Sequence, residues 1–356
     1  MLRLLDDLIL RDRPVAAETW HAFWDRLDGG RLDKADALAV LTSLSTLPPD
    51  APTSLGLLDS LAARRRAHRT TVTPATWQGT VNAVGTGGGP ATFNLTTAAT
   101  LVAAAAGTPM VKTGSRAYTS RHGSLDMLRL LGIPLCGSYP ECEDFLSLYG
   151  VAFAGGFVYP TELARLARLT IPRDIRRTGR VFNTLGPFLA DLPVATQITG
   201  VSDRRDLPRL TTLALRPGAP DTWLVHNDLG VDELVSFAPN AIDTGDGTSR
   251  HVGGQASPAL PSTPGTLADL APAPDNAPDP VQHLLDLLGG HGPPPAVESI
   301  CLNAAAAGVA AGTAPDWESA YRATTEAVRS GAARALVERL RSHPGHTAFG
   351  ASPIHA

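Results

Sequence analysis

From about residue 79 onward, short apolar runs alternate with helical stretches, and this rhythm constrains the fold more than any other feature of the chain. The runs are "TVNAV" at 80–84, "TPMVKTG" at 108–114, "VAFAGG" at 151–156, "QITGVS" at 197–202 and "TWLVHN" at 222–227. Each ends in small or polar residues. Strands separated by helices imply βαβ units and a mainly parallel sheet. On such sheets ligands collect at the carboxyl ends of the strands. The expected fold class is therefore α/β.

The chain before this point has a different texture. "ETWHAFWDRL" sets Trp20, Phe23, Trp24 and Leu27 on one helical stripe, suited to core or dimer contact. "TSLGLLDSLAARRRA" sets Leu55, Leu58, Leu61 and Ala62 on one face, behind a cap at Thr53 or Ser54. The run Arg64-Arg65-Arg66 reads as a solvated helix end. The expectation is a small all-α domain of residues 1–72, completed by a helical segment near 160–178. A larger α/β domain of residues 73–356 follows. Seven prolines between 253 and 280 mark an irregular surface excursion. "ESICLNAAAAGVAAG" then resumes core-like helix, and two amphipathic helices broken at Gly331 close the chain.

Composition narrows the function class. With 43% hydrophobic and 18% charged residues the chain is an ordinary globular one. A net charge of −4 gives neither nucleic acid nor a membrane surface an electrostatic reason to bind. Three cysteines without a CxxC spacing form no disulfide framework and fit a reducing compartment. Asp6, Asp7 and Arg11 interrupt the apolar N-terminus, which is no signal peptide. The alanine-rich stretch near 101–106 is too short to span a bilayer. A cytoplasmic location is expected.

"VGTGGGPATFNLTTA" places four glycines in five positions directly before a helix. Gly85, Gly87, Gly88 and Gly89 can turn their amides into one concavity, and the helix adds its positive end, so a phosphate fits there. A tight structural turn would use the same residues. Asn94 is placed to cap the helix, with the Thr96 and Thr97 hydroxyls in its first turn. The stretch lacks both the lysine of a GxxxxGK[ST] loop and GxGxxG spacing. The next strand supplies a cation. Of 30 Lys and Arg residues only Lys34 and Lys112 are lysines, and a position that keeps lysine in an arginine-rich chain has use for a compact, mobile ammonium. Around Lys112 stand Thr113, Ser115, Arg116, Thr119, Ser120, Arg121 and Ser124, donors suited to a phosphorylated sugar. Asp232 and Glu233 follow the strand "TWLVHN". Adjacent acids at such a junction suit Mg²⁺, which takes few carboxylates plus phosphate oxygens, although a solvated loop would carry them too.

"GTGGG…FNLTTA", "KTGSR…GSLDMLRLLG", "RVFNTLGP", "GVSD", "VHNDLGVDE" and "LNAAAAGVAAG" occur in an order and spacing that resemble the anthranilate phosphoribosyltransferases. The resemblance covers nearly the whole chain. It implies 5-phosphoribosyl 1-pyrophosphate (PRPP) as donor, held with Mg²⁺. It also implies an aromatic-acid acceptor bound between the two domains, and a homodimer formed through the helical domain. Gly85, Thr86, Gly87, Gly88, Gly89, Asn94, Thr96, Thr97 and Lys112 would line the donor site. Thr96, Asp232 and Glu233 would hold the metal, and Lys112, Asp232 and Glu233 would do the catalytic work.

The departures from the family pattern fall mostly on the acceptor side. Lys112-Thr113-Gly114-Ser115-Arg116 stands where the family reads Lys-His-Gly-Asn-Arg, and Tyr159-Pro160 stands for a His-Pro pair. Arg173 is the candidate for the acceptor carboxylate. On the donor side, the acid of the family's GTGGD is Gly89. The first reading is a phosphoribosyltransferase with an altered aromatic-acid acceptor, in which Thr113 and Ser115 open room beside the donor. The second is anthranilate phosphoribosyltransferase of tryptophan synthesis. The third is a non-catalytic paralogue that binds nucleic acid or another ligand.

Overall fold

The computed structural model describes residues 2–67, 74–114, 123–171, 180–253, 260–272 and 279–344. The chain forms two compact units. One comprises residues 1–74, 156–192 and 205–219, the other 75–155, 193–204 and 220–356.

With helices numbered in chain order, the first unit contains α1 (Leu2–Leu10), α2 (Ala17–Asp28), α3 (Lys34–Thr46), α4 (Ala51–Ala67), α8 (Thr161–Thr170), α9 (Arg180–Leu189) and α10 (Leu207–Ala214). The stripe of Trp20, Phe23, Trp24 and Leu27 is buried on α2, which packs on α4. Trp24 Nε1 donates to Ser60 Oγ at 3.0 Å, so the indole polar edge is satisfied inside the core. The sequence reading places α10 with the α/β part. It belongs to the helical unit, because it buries Leu210 and Leu213 and packs on α4.

Two local expectations for α4 fail. The helix starts at Ala51, and Asp50 Oδ1 accepts from the Thr53 amide at 2.7 Å, so neither Thr53 nor Ser54 is the cap. Thr53 Oγ1 is used instead by the Val15 amide at 3.0 Å. Nor is the arginine run a solvated end. Arg64 is buried and meets Glu162 at 3.1 Å, Asp25 at 2.5 Å and Asp28. Arg65 pairs with Asp191 at 2.9 Å and donates to the Val158 and Phe157 carbonyls. Arg66 alone of the three is exposed.

The second unit is built on seven strands in the order β3-β2-β1-β4-β5-β6-β7. These are β1 (Trp77–Gly85), β2 (Met110–Lys112), β3 (Val151–Phe153), β4 (Val194–Gly200), β5 (Asp221–Asn227), β6 (Asn240–Asp243) and β7 (Ser249–Val252). The first five are mutually parallel, as the alternation requires, and β6–β7 is an antiparallel hairpin. The sequence reading misses that hairpin, because each strand is four residues long and β7 carries mostly exposed side chains. The chain runs outward from β1 to β3, then returns to β4 on the other side of β1. Strand order therefore reverses between β1 and β4, the place where an open parallel sheet has its crevice.

The remaining helices are α5 (Leu95–Ala105), α6 (Ser124–Leu131), α7 (Tyr139–Tyr149), α11 (Pro280–Leu288), α12 (Pro294–Ala310), α13 (Trp317–Arg329) and α14 (Ala332–Arg341). The alanine-rich α5 and α12 pack on each other and are buried over most of their length. Small side chains permit a close approach of the two axes. Gly331 separates α13 from α14, as the sequence suggests. Between 260 and 272 the one regular element is a turn of 3₁₀ helix at Leu267–Leu270. Among the described residues no helix is long and apolar enough to cross a membrane.

Candidate active site

β1 ends at Gly85 and β4 ends at Gly200, and the two glycines are in register. Both face the segment that carries the acid pair. A Cβ on Gly85 would stand 2.0 Å from Asp232 Oδ2, and one on Gly200 would stand 1.6 Å from the Asp232 carbonyl oxygen. Only paired glycines let that segment lie against the ends of the two central strands.

Beyond Gly85 the chain turns through Gly87 (φ 65°) and Gly88 (φ 88°), left-handed values natural to glycine. The turn is fastened to the end of β4. The Thr86 amide donates to the Gly200 carbonyl at 2.9 Å, the Ser202 amide to Thr86 Oγ1 at 3.3 Å, and Ser202 Oγ to the Gly87 carbonyl at 2.6 Å. The Gly87 amide donates to Asp232 Oδ2 at 2.8 Å. One amide of the glycine turn therefore already serves an oxyanion. At Gly89 a Cβ would stand 2.2 Å from the Gly230 carbonyl oxygen, so in this backbone arrangement no acid fits at 89.

Asn94 does precede α5, but in the left-handed region (φ 67°, ψ 44°), and its side chain makes no capping hydrogen bond. Side-chain caps form from extended geometry, which Asn94 lacks. Thr96 Oγ1 donates to Glu233 Oε1 at 2.8 Å, and Thr92 Oγ1 reaches the same oxygen at 3.4 Å. Glu233 Oε2 and Thr97 Oγ1 are buried with no hydrogen-bond partner. Lys112, the last residue of β2, is also buried, and its Nζ donates to the Ala83 carbonyl at 3.1 Å.

The electrostatics are those of an undercompensated site. Burial pushes the Lys112 ammonium down to about 8, against the pull of Glu233 and Asp232. Burial raises Glu233, and the neighbouring Asp232 charge raises it further, with Thr96 and Lys112 opposing. Asp232 is likewise raised by burial, opposed first by the Gly87 amide. Two acids that resist ionisation, with one oxygen left unpaired, are not fully compensated by the single cation Lys112. A hydroxyl and two carboxylates are all hard oxygen donors. Among the described residues no group of three or more His, Cys, Asp or Glu side chains could enclose a metal. The hydroxyl of Thr96 and the carboxylates of Asp232 and Glu233 could hold Mg²⁺, an ion that takes one or two carboxylates and completes its shell with water and phosphate.

On the acceptor side Thr113 differs from expectation. It is fully buried, and its amide (3.2 Å) and hydroxyl (3.3 Å) both donate to Asn82 Oδ1, so the hydroxyl belongs to the sheet interior. Ser115, Arg116, Thr119, Ser120 and Arg173 lie outside the described residues. The sequence reading also misses the asparagines that hold the acid-bearing loop, Asn227, Asn240 and Asn303. The available signal is a lone amide inside "CLNAAAAG", where every neighbour is apolar or small.

Residues 78–334 match the family model described as "Glycosyl transferase family, a/b domain". An anthranilate phosphoribosyltransferase of Methylorubrum extorquens is 32% identical over 340 residues, covering 94% of this chain and 96% of that protein. "Anthranilate phosphoribosyltransferase 2" of Streptomyces coelicolor is 34% identical over 287 residues, 79% of this chain and 83% of its own. The crystal structure of the Thermus thermophilus enzyme superposes with a TM-score of 0.75 at 25% identity, over 95% of this chain and 98% of that one. The Saccharomyces cerevisiae enzyme in complex with PRPP and Mg shares the fold at a TM-score of 0.72 and 17% identity, over 95% and 96%. The chain is a phosphoribosyltransferase and belongs to the anthranilate phosphoribosyltransferase family.

Proposed function

We propose that this protein transfers the 5-phosphoribosyl group of PRPP, with Mg²⁺, to an aromatic acid and releases pyrophosphate. The observation that carries the reading is the cluster of half-buried Thr96 and Asp232 with buried Glu233, whose Oε2 is unpaired, near buried Lys112 and the glycine turn. Thr96, Asp232 and Glu233 would hold Mg²⁺, whose chemistry there is to neutralise the charge of the departing pyrophosphate. The amides of the glycine turn and the Lys112 ammonium bind the donor's phosphates and stabilise charge as the ribose C1–O bond breaks. The ribose passes through an oxocarbenium-like state, which the acceptor attacks from the opposite face. The chain's own contribution is placement and electrostatics.

The acceptor we propose is a differently substituted or bulkier aromatic acid than anthranilate, its carboxylate held by Arg173. Two features support this. The imidazole and carboxamide of the family pattern are replaced by Thr113 and Ser115, and the Thr113 hydroxyl is spent on Asn82. A site without polar partners for an ortho amine discriminates weakly in its favour. Anthranilate itself as acceptor is the second reading, supported by relatives of that name spanning 94% of the chain. We also propose a homodimer through the helical unit, whose exposed Ile9, Leu10 and Leu47 offer an apolar surface.

The test incubates the protein with PRPP, Mg²⁺ and a panel of aromatic acids while pyrophosphate is measured. The expected result is release that needs both metal and acceptor, with a lower kcat/KM for anthranilate than for another acid. Fast use of anthranilate, with rescue of a tryptophan auxotroph lacking this step, establishes the second reading. No release with any acid refutes both.

A further inference from the structure

The acid pair sits on a loop, yet the main chain of that loop is almost entirely spoken for by three asparagine side chains from three elements. Asn227, at the end of β5, accepts from the Leu229 and Val231 amides at 3.2 Å each. It donates to the Val231 carbonyl at 3.1 Å and to the Glu233 carbonyl at 2.9 Å. Asn303, in the middle of α12, accepts from the Leu234 amide at 3.0 Å and donates to the Leu234 carbonyl at 2.7 Å. Asn240, at the start of β6, accepts from the Val235 amide and donates to the Val235 carbonyl, both at 2.9 Å. Asn227 and Asn240 are also joined, Nδ2 to Oδ1, at 3.3 Å. From the other side, the Asp232 carbonyl rests against Gly200.

We propose that Asn227, Asn240 and Asn303 are positioning residues that lock the main chain on both sides of Asp232 and Glu233, so that the two carboxylates stand ready for a divalent cation. The inference rests on the reading of these acids as the metal site. Two adjacent carboxylates repel each other, and a loop held only by its own turn would let them swing apart. Each carboxamide accepts from the N–H and donates to the C=O of one residue, as a neighbouring strand would: Asn227 at Val231, Asn303 at Leu234 and Asn240 at Val235. A loop held in this way meets the metal without a cost of ordering at the moment of binding. Removing groups that orient metal ligands typically weakens metal binding by about 10–100-fold.

Asn303 is the residue to change, because alanine is the best helix former and Asn303 stands in a helix already rich in alanine. Mn²⁺ is titrated into the protein with saturating PRPP, and protein-bound Mn²⁺ is read from water-proton relaxation. Four chains are compared: the natural protein, Asn303→Ala, Asp232→Ala with Glu233→Ala, and Thr324→Ala. The last loses buried hydrogen bonds from Thr324 to the Cys301 and Tyr321 carbonyls without touching the loop.

The expected result is Mn²⁺ binding about tenfold or more weaker in Asn303→Ala, and unchanged in Thr324→Ala despite a lower melting temperature. Turnover should follow, with a higher Mg²⁺ requirement and a kcat restored at high Mg²⁺. If Asn303→Ala fails to fold, Asn303→Ser, which puts a shorter hydroxyl in place of the carboxamide, must give the same order. Natural Mn²⁺ affinity in Asn303→Ala, or an equal loss in Thr324→Ala, overturns the proposal. Natural affinity in the double acid variant instead refutes the metal reading, and this inference falls with it.

Discussion

Arg64 and Lys112 are both buried cations, one in each unit, and their surroundings are opposite. Arg64 faces three carboxylates, Asp25, Asp28 and Glu162, and each of its guanidinium nitrogens has a partner. Lys112 spends its hydrogen bond on the Ala83 carbonyl, while the two acids nearby keep one oxygen with none. The first cluster is closed and the second is open. A closed cluster fixes helices in place, whereas an open one has charge left for a ligand. Burial of charge therefore distinguishes nothing by itself; the state of pairing does.

The strongest way to break this comparison is to empty the open cluster. Asp232→Ala with Glu233→Ala should lower phosphoribosyl transfer by about 10³-fold or more, since electrostatic stabilisation is the main protein contribution. The melting temperature should not fall, because the residues removed are incompletely paired charges. Pyrophosphate release and a calorimetric scan on the same sample check both halves. A stable variant with full activity would make the open cluster structural.

Arg64→Ala tests the closed cluster. It leaves Glu162 buried without its partner and should cost about 3 kcal/mol in urea unfolding. The kcat of the folded fraction should be unchanged. A loss of turnover larger than the loss of folded protein would show that Arg64 also serves the reaction.

Gly200→Ala belongs to both columns. Its methyl would collide with the Asp232 carbonyl, and the acids must shift. A displacement of about 1 Å can cost about 100-fold in rate. The expected signature is a fall in kcat/KM near that size, with cooperative unfolding retained. Unaltered kinetics would show that the acid pair tolerates displacement.

The smallest effect sharpens the comparison within three residues. Arg66→Ala, at an exposed position beside Arg64, should change stability by less than about 0.5 kcal/mol. Equal effects at 64 and 66 would show that the ion pairs of Arg64 contribute nothing net.

Some of this was legible in the sequence and some was not, for physical reasons. The five parallel strands are legible because each buried strand of a parallel sheet must be an apolar run bounded by turns. The glycine turn and the acid pair are legible because close backbone approach admits only glycine and because two adjacent acids directly after a strand stand out by residue type. The arginine run is not: consecutive helical residues point in different directions, and which one faces inward depends on acids 36, 39 and 98 positions away. Asn94 has the right residue type for a cap but the wrong backbone conformation, which composition does not report. The hold of Asn227, Asn240 and Asn303 on one loop depends on β5, β6 and α12 meeting there, a fact of topology. Thr113 is legible as a departure from the family pattern, but the direction of its hydroxyl follows from Asn82 on the neighbouring strand.

The contact between Gly89 and the Gly230 carbonyl restricts which substitutions the glycine turn accepts. Gly230 is held left-handed (φ 71°), which sets where its carbonyl points, and that oxygen now occupies the space a side chain at 89 would need. Any side chain placed at 89 requires the 228–231 turn to move first, whereas the glycine that stands there makes no such demand. An acid at 89 is therefore accommodated only together with a second change that shifts the Gly230 carbonyl.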